Sequence, residues 1–167
     1  MRKHYKLLLA AAATAAIAAT GITAASASPA AHLAASGTEY IQVMSTAPTA
    51  PGPASAIARG VFTAGGQARL GDARVGTIAF GGGTIVLRHH AGHGSSQFDP
   101  RGCLSLVSQS GTYQIVRGTG RYAGISGHGT YQLSLEIVAA RVHGACSSAK
   151  PPVAQQELLL LAGPVRR

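Results

Sequence analysis

The stretch GTYQIVRGTGRYAGISGHGTYQ, Gly111 to Gln132, decides the fold of this chain. The same four letters open and close it, at Gly111–Gln114 and again at Gly129–Gln132. Each copy leads into a run that alternates apolar and polar residues. Tyr113, Ile115 and Arg117 share one face of the first; Tyr131, Leu133, Leu135 and Ile137 share one face of the second. Successive side chains of a strand point to opposite faces, so period-two alternation predicts two half-buried strands. Between them, Gly118, Gly120, Gly124 and Gly127 admit backbone angles that other residues resist, which predicts a structured loop. The expectation is two antiparallel strands clasping that loop.

Gly118-Thr119-Gly120-Arg121-Tyr122-Ala123 also fits a relaxed dinucleotide-binding pattern. That motif needs a helix immediately after it, because the pyrophosphate rests on the helix N-terminus. Here Gly124, Gly127 and Gly129 crowd the next six residues and make a poor helix start. A turn is the better reading.

Outward from this stretch, short strands are predicted at Tyr40–Ser45, Ala56–Ala64, Arg74–Phe80, Thr84–His90, Cys103–Ser108, Thr112–Arg117, Gly129–Val142 and Gln155–Ala162. Pro48, Pro51 and Pro53 interrupt pairing after the first, and Gly65-Gly66 ends the second. Gly81-Gly82-Gly83 marks a hairpin, and Gly92, Gly94 and Ser95 read as a polar loop. Eight antiparallel strands with no convincing helix predict an all-β fold, a small closed barrel, with a two-sheet sandwich as the alternative.

The first 27 residues read as a secretory signal peptide. Arg2, Lys3 and Lys6 form a basic start, Leu7–Ile22 an apolar run, and Ala25-Ser26-Ala27 a small-residue cleavage site. Residues 28–39 read as a flexible mature N-terminus and 40–165 as one barrel domain. About 140 residues is enough for one domain that buries roughly two-thirds of the surface its unfolded chain exposes. The expected location is extracellular. The absence of Asn and the scarcity of Lys beside Arg fit a GC-rich bacterial genome.

The chain carries a formal charge of +9; without Arg2, Lys3 and Lys6 it keeps 11 basic against 5 acidic residues, or +6. Its arginines are scattered and there is no Trp, which argues against nucleic acid and leaves an anionic cell-envelope surface as a partner. Cys103 and Cys146 lack C-x-x-C spacing; in an oxidising compartment they suggest one disulfide, the rival being two buried thiols.

Phe98–Leu104, Gly111–Tyr113, Gly118–Gly124 and Gly127–Tyr131 together resemble secreted bacterial proteins of the allene oxide cyclase barrel-like group, related in fold to dirigent proteins. The likeness runs from about Tyr40 to Val165. It implies an eight-stranded barrel, often in a homo-oligomer, whose lumen admits a small apolar molecule. The cyclases of that group use a lumen carboxylate, but no motif here maps it to a position.

Candidate chemistry is sparse. Glu136 lies mid-strand on the face of Gln132 and Ser134, and acts as an acid–base group if that face lines the lumen; otherwise it is a surface charge. His89 is the second acid–base candidate. His90 and His93 complete the single histidine cluster, but adjacent strand residues diverge, so no metal site and no cofactor is predicted. Tyr113 and Tyr131 are either core or ligand-lining. The expected function is a secreted, non-catalytic barrel binding a small apolar ligand or an extracellular partner. The alternatives are a cyclase or isomerase and a basic envelope-associated protein.

Overall fold

A computed structural model describes residues 36–46, 54–70 and 74–166, and the proposed signal peptide lies outside them. The described chain is almost entirely strand. Eight strands close into an antiparallel barrel: β1 (Ser36–Ser45), β2 (Ala54–Arg59), β3 (Ala64–Leu70), β4 (Val75–Phe80), β5 (Gly83–Asp99), β6 (Leu104–Gly118), β7 (Ser126–Val138) and, last in the chain, β10 (Ala154–Arg166). Around the barrel the order is β1-β10-β7-β6-β5-β4-β3-β2, closed by the pairing of β1 with β2. A short ribbon, β8 (Ala140–Val142) and β9 (Ala145–Ser147), lies between β7 and β10 in the chain.

Alternation places one face of every barrel strand inside. Glu39, Ile41 and Val43 are buried on β1, Ala54, Ala56 and Ala58 on β2, and Ile85 and Leu87 on β5, with exposed or half-buried residues between them. Inward residues are graded by size. In the eight-strand ring β2 stands four strands from β6, and β3 four from β7. Alanines on β2 and β3 therefore face the side carrying Tyr113 and Tyr131, and small against large fills a narrow barrel.

The duplicated tetrapeptides pair with each other. Tyr113 stands opposite Gly129, Thr112 opposite Thr130, and Gly111 opposite Tyr131. Each tyrosine thus has a glycine as its cross-strand neighbour. At Gly111 that lack of a side chain is required: a Cβ there would lie 2.7 Å from the Tyr131 ring.

The barrel has the expected eight strands, but through offsetting differences. The expected Ala56–Ala64 divides between β2 and an unexpected β3, two expected strands merge, and the expected Gly129–Val142 ends at Val138, with Ala140–Val142 as β8. Gly65-Gly66 does not end a strand; both residues lie inside β3, where a Cβ on Gly66 would collide with the Ala79 carbonyl. The two strands expected at Cys103–Ser108 and Thr112–Arg117 are one continuous β6. The polar run through Gly92, Gly94 and Ser95 is the outer half of β5, not a loop. β1 starts at Ser36, so Ser36–Glu39 belong to the barrel rather than to a flexible N-terminus.

Cys103 and Cys146 form a disulfide, Cα–Cα 5.4 Å across 43 residues of sequence. It ties the β8–β9 ribbon to the β5–β6 turn. In the chain-entropy picture, closing that loop stabilises by about 4 kcal/mol.

Candidate functional site in the barrel lumen

The barrel has a filled end and, beside it, a hollow region. At the filled end the β6–β7 loop folds inward through a single 3-10 turn, Gly120–Tyr122, and no longer helix follows. Gly120 takes φ +57°, a left-handed conformation that favours glycine. Backbone bonds from Thr119 N–H to Thr84 O and from Arg121 N–H to Gly82 O, each 2.9 Å, staple the loop to the β4–β5 turn. The Thr84 and Thr119 hydroxyls add a contact of 2.6 Å. Tyr122 is thereby held 1% exposed, its ring 5.0 Å from Phe62 and 5.8 Å from Phe80. This glycine-rich loop, with Gly118, Gly124 and Gly127 at its margins, is a plug.

Glu39 is buried beside the plug, with no exposed surface. Its Oε2 accepts the Phe62 backbone N–H at 3.1 Å, pinning the β2–β3 turn, while its Oε1 has no hydrogen-bond partner. Burial pushes this carboxyl above its ordinary range, against the opposing pull of the Phe62, Val61 and Arg59 backbone amides.

The hollow region is a cavity of about 200 Å³ lined by residues of β4, β5, β6, β7 and β10. Leu87, Leu133, Leu159 and Leu161 give it an apolar wall, and among the described residues no Lys or Arg lines it. Its polar groups are His89, Gln109, Tyr113, Tyr131 and Glu157. The Tyr131 hydroxyl donates to Gln109 Oε1 at 3.2 Å, and its ring meets His89 edge-on at 5.7 Å. The Tyr113 hydroxyl is buried without a partner. Burial first, and the nearby Glu39 charge second, push its pKa up to about 12, so it holds its proton throughout the physiological range. Burial also raises the Glu157 carboxyl.

The structure brings together three of the residues singled out from the sequence: His89, Tyr113 and Tyr131 all line this cavity. It leaves Glu136 out. That residue is exposed, in phase with exposed Gln132 and Ser134 rather than with inward Tyr131 and Leu133. His90 and His93 are exposed, and among the described residues no group of three or more His, Cys, Asp or Glu gathers as a metal site. The two lumen carboxyls, Glu39 and Glu157, were not anticipated. A signal existed for the first, because Glu39, Ile41 and Val43 alternate with polar or exposed residues as one inward face.

No protein-family model matches the chain, and neither a characterised protein nor a solved structure matches it.

Proposed function

We propose that this is a secreted barrel that binds a small, neutral, largely apolar molecule in the lumen, as the likeness to the allene oxide cyclase barrel-like group implies. The observation that carries the reading is the Tyr113 hydroxyl, a buried donor without a partner on the wall of an apolar cavity. An unsatisfied buried hydroxyl costs about 1–3 kcal/mol, and a ligand acceptor would relieve that cost. The ligand should be neutral, since the wall carries one carboxyl, Glu157, and no Lys or Arg among the described residues. A cavity of about 150 Å³ holds benzene, so about 200 Å³ suits a substituted single ring.

Three probes test this: acetophenone, which carries an acceptor, ethylbenzene, which does not, and benzoate, which is charged. Acetophenone should bind most tightly by calorimetry and perturb the His89 and Tyr131 NMR signals. Equal binding of ethylbenzene, or no perturbation by any of the three, would remove the reading.

A second reading is cyclase or isomerase chemistry. It is favoured by Glu157, a carboxyl raised by burial, lining the same cavity as His89. On this reading the acid–base pair is His89 with Glu157 in place of Glu136. Turnover that survives both Glu157→Gln and His89→Ala would dismiss it.

A further inference from the structure

β5 is much longer than the barrel needs. Its pairing with β4 stops at Val75 opposite Arg88, and the last bond on that side runs from His89 N–H to Arg74 O at 2.9 Å. From Ala91 to Asp99, β5 is paired with β6 alone, and among the described residues nothing bonds to its other edge. Every residue from His90 to Gly102 is exposed. β6, β7 and β10 run alongside, with Leu104 opposite Val138 and Val138 opposite Ala154. The result is a four-stranded sheet that projects past the short strands β1–β4, with β5 as its long free edge.

The phase of that edge follows from the ladder. In an antiparallel pair, a residue whose N–H and C=O point away from one neighbour points them at the other. His89 points away from β6, and it stands opposite Tyr113. Gly94, Ser96 and Phe98 stand opposite Gln109, Val107 and Ser105, which are in phase with Tyr113. Those three residues therefore direct their backbone donors and acceptors outward. Natural edges are usually blunted by Lys, Pro, a bulge or short length. This one has a bulge between Ala91 and Gly94, and beyond it no Lys or Pro until Pro100.

We infer that this edge pairs antiparallel with the same edge of a second copy of the chain. Outward-directed residues must face each other, and a two-fold axis through Ser96 satisfies this over the whole regular stretch. It sets Gly94 of each copy opposite Phe98 of the other, so an aromatic ring that is 55% exposed covers a glycine. It also keeps Asp99, the one acidic residue of the edge, away from its own copy and towards the bulge that carries His93, while the carboxylate accepts the Arg101 and Gly102 backbone N–H groups of its own turn. Ser96 lies seven positions past His89, or about 23 Å at a strand's rise, so the two barrels sit well apart. The two four-stranded projections become one eight-stranded sheet.

Sedimentation of the purified protein over micromolar concentrations tests this, with Ser96→Pro as the first variant. Proline removes an N–H that β6 does not use. It should weaken dimerisation about tenfold or more, while leaving in place the denaturation midpoint measured at concentrations where both proteins are monomeric. Ser96→Cys is the second variant. Opposed residues in a hydrogen-bonded antiparallel pair have Cα atoms about 5.5 Å apart, within disulfide reach. This variant should form a covalent dimer on oxidation, whereas Ser148→Cys should not. A protein that is monomeric at every concentration would overturn the inference. So would a dimer that Ser96→Pro leaves intact and Ser96→Cys does not cross-link.

Discussion

At the Gly60–Phe62 end of the lumen, three aromatic rings lie within 5.8 Å of one another and a carboxylate is spent on holding a turn. A few residues further along the same strands, two tyrosines and a histidine surround about 200 Å³ of space. Both regions draw on similar side chains, and both contain a buried oxygen without a partner, Glu39 Oε1 in the one and Tyr113 Oη in the other. The difference is what stands in front of them. The plug end is closed by the β6–β7 loop and the β2–β3 turn, so its polar group serves the fold. The hollow region is lined by leucines and by both tyrosine rings, and it keeps room for a molecule. Aromatic content alone does not mark a binding site; the space beside it does.

That contrast predicts opposite responses to truncation. Tyr122→Ala empties the centre of the plug and should destabilise by about 3–5 kcal/mol, the usual cost of deleting a large buried aromatic. Urea denaturation reads this directly. A loss below about 1 kcal/mol would mean the plug is dispensable and the two regions are not different in kind.

How much of this contrast the sequence displays depends on the signal each residue leaves. The paired strands around Gly111–Gln132 were legible because an exact repeat and period-two alternation reinforce one another. Alternation puts Tyr113 and Tyr131 on the apolar faces of those strands, and for His89 it shows only that His90 takes the opposite face. Glu157 was obscured because Leu158–Leu161 are apolar on both faces, which hides the phase of the strand. Glu39 was hidden for another reason, its position next to an Ala- and Ser-rich stretch that suggests a loose terminus. The glycines misled twice. Gly65-Gly66 read as a strand end and Gly92 and Gly94 as a loop, yet all four sit inside strands, and at Gly66 the Ala79 carbonyl stands where a side chain would. Close approach and turn formation leave the same letter, and only the partner strand distinguishes them.

The carboxyl at the plug sharpens the comparison through pH. Burial raises the folded-state pKa of Glu39 above the ordinary carboxyl value of 4.5, so the folded protein holds a proton that the unfolded chain releases. Its contribution to stability is therefore fully present below that ordinary value and is lost as pH rises through the raised one. Glu39→Gln keeps the acceptor for Phe62 N–H but never ionises. Wild type and variant should be nearly equal in stability at about pH 4. The variant should then gain on wild type as pH increases, at no more than about 1.4 kcal/mol per pH unit. Glu157, raised in the same direction, is common to both proteins and cancels in the difference. A difference that stays flat from pH 4 to pH 8 would show that the plug carboxyl feels no burial.

The smallest effect on stability is the most informative about function. Tyr113→Phe deletes a hydroxyl that has no partner, so the empty protein should lose almost nothing, or gain up to about 1 kcal/mol. Tyr131→Phe deletes a hydroxyl bonded to Gln109 and should cost about 0.5–1.5 kcal/mol. Binding of acetophenone should reverse the order. The Tyr113 variant should lose about tenfold in affinity, one hydrogen bond's worth, while the Tyr131 variant keeps most of its affinity. The two tyrosines occupy the same position in the two copies of one tetrapeptide, and their rings contribute alike to the wall. If their variants rank identically in stability and in affinity, the unpartnered hydroxyl is a packing accident and the hollow region is core that failed to fill. If the ranks invert, one copy of the repeat serves the fold while the other serves the ligand.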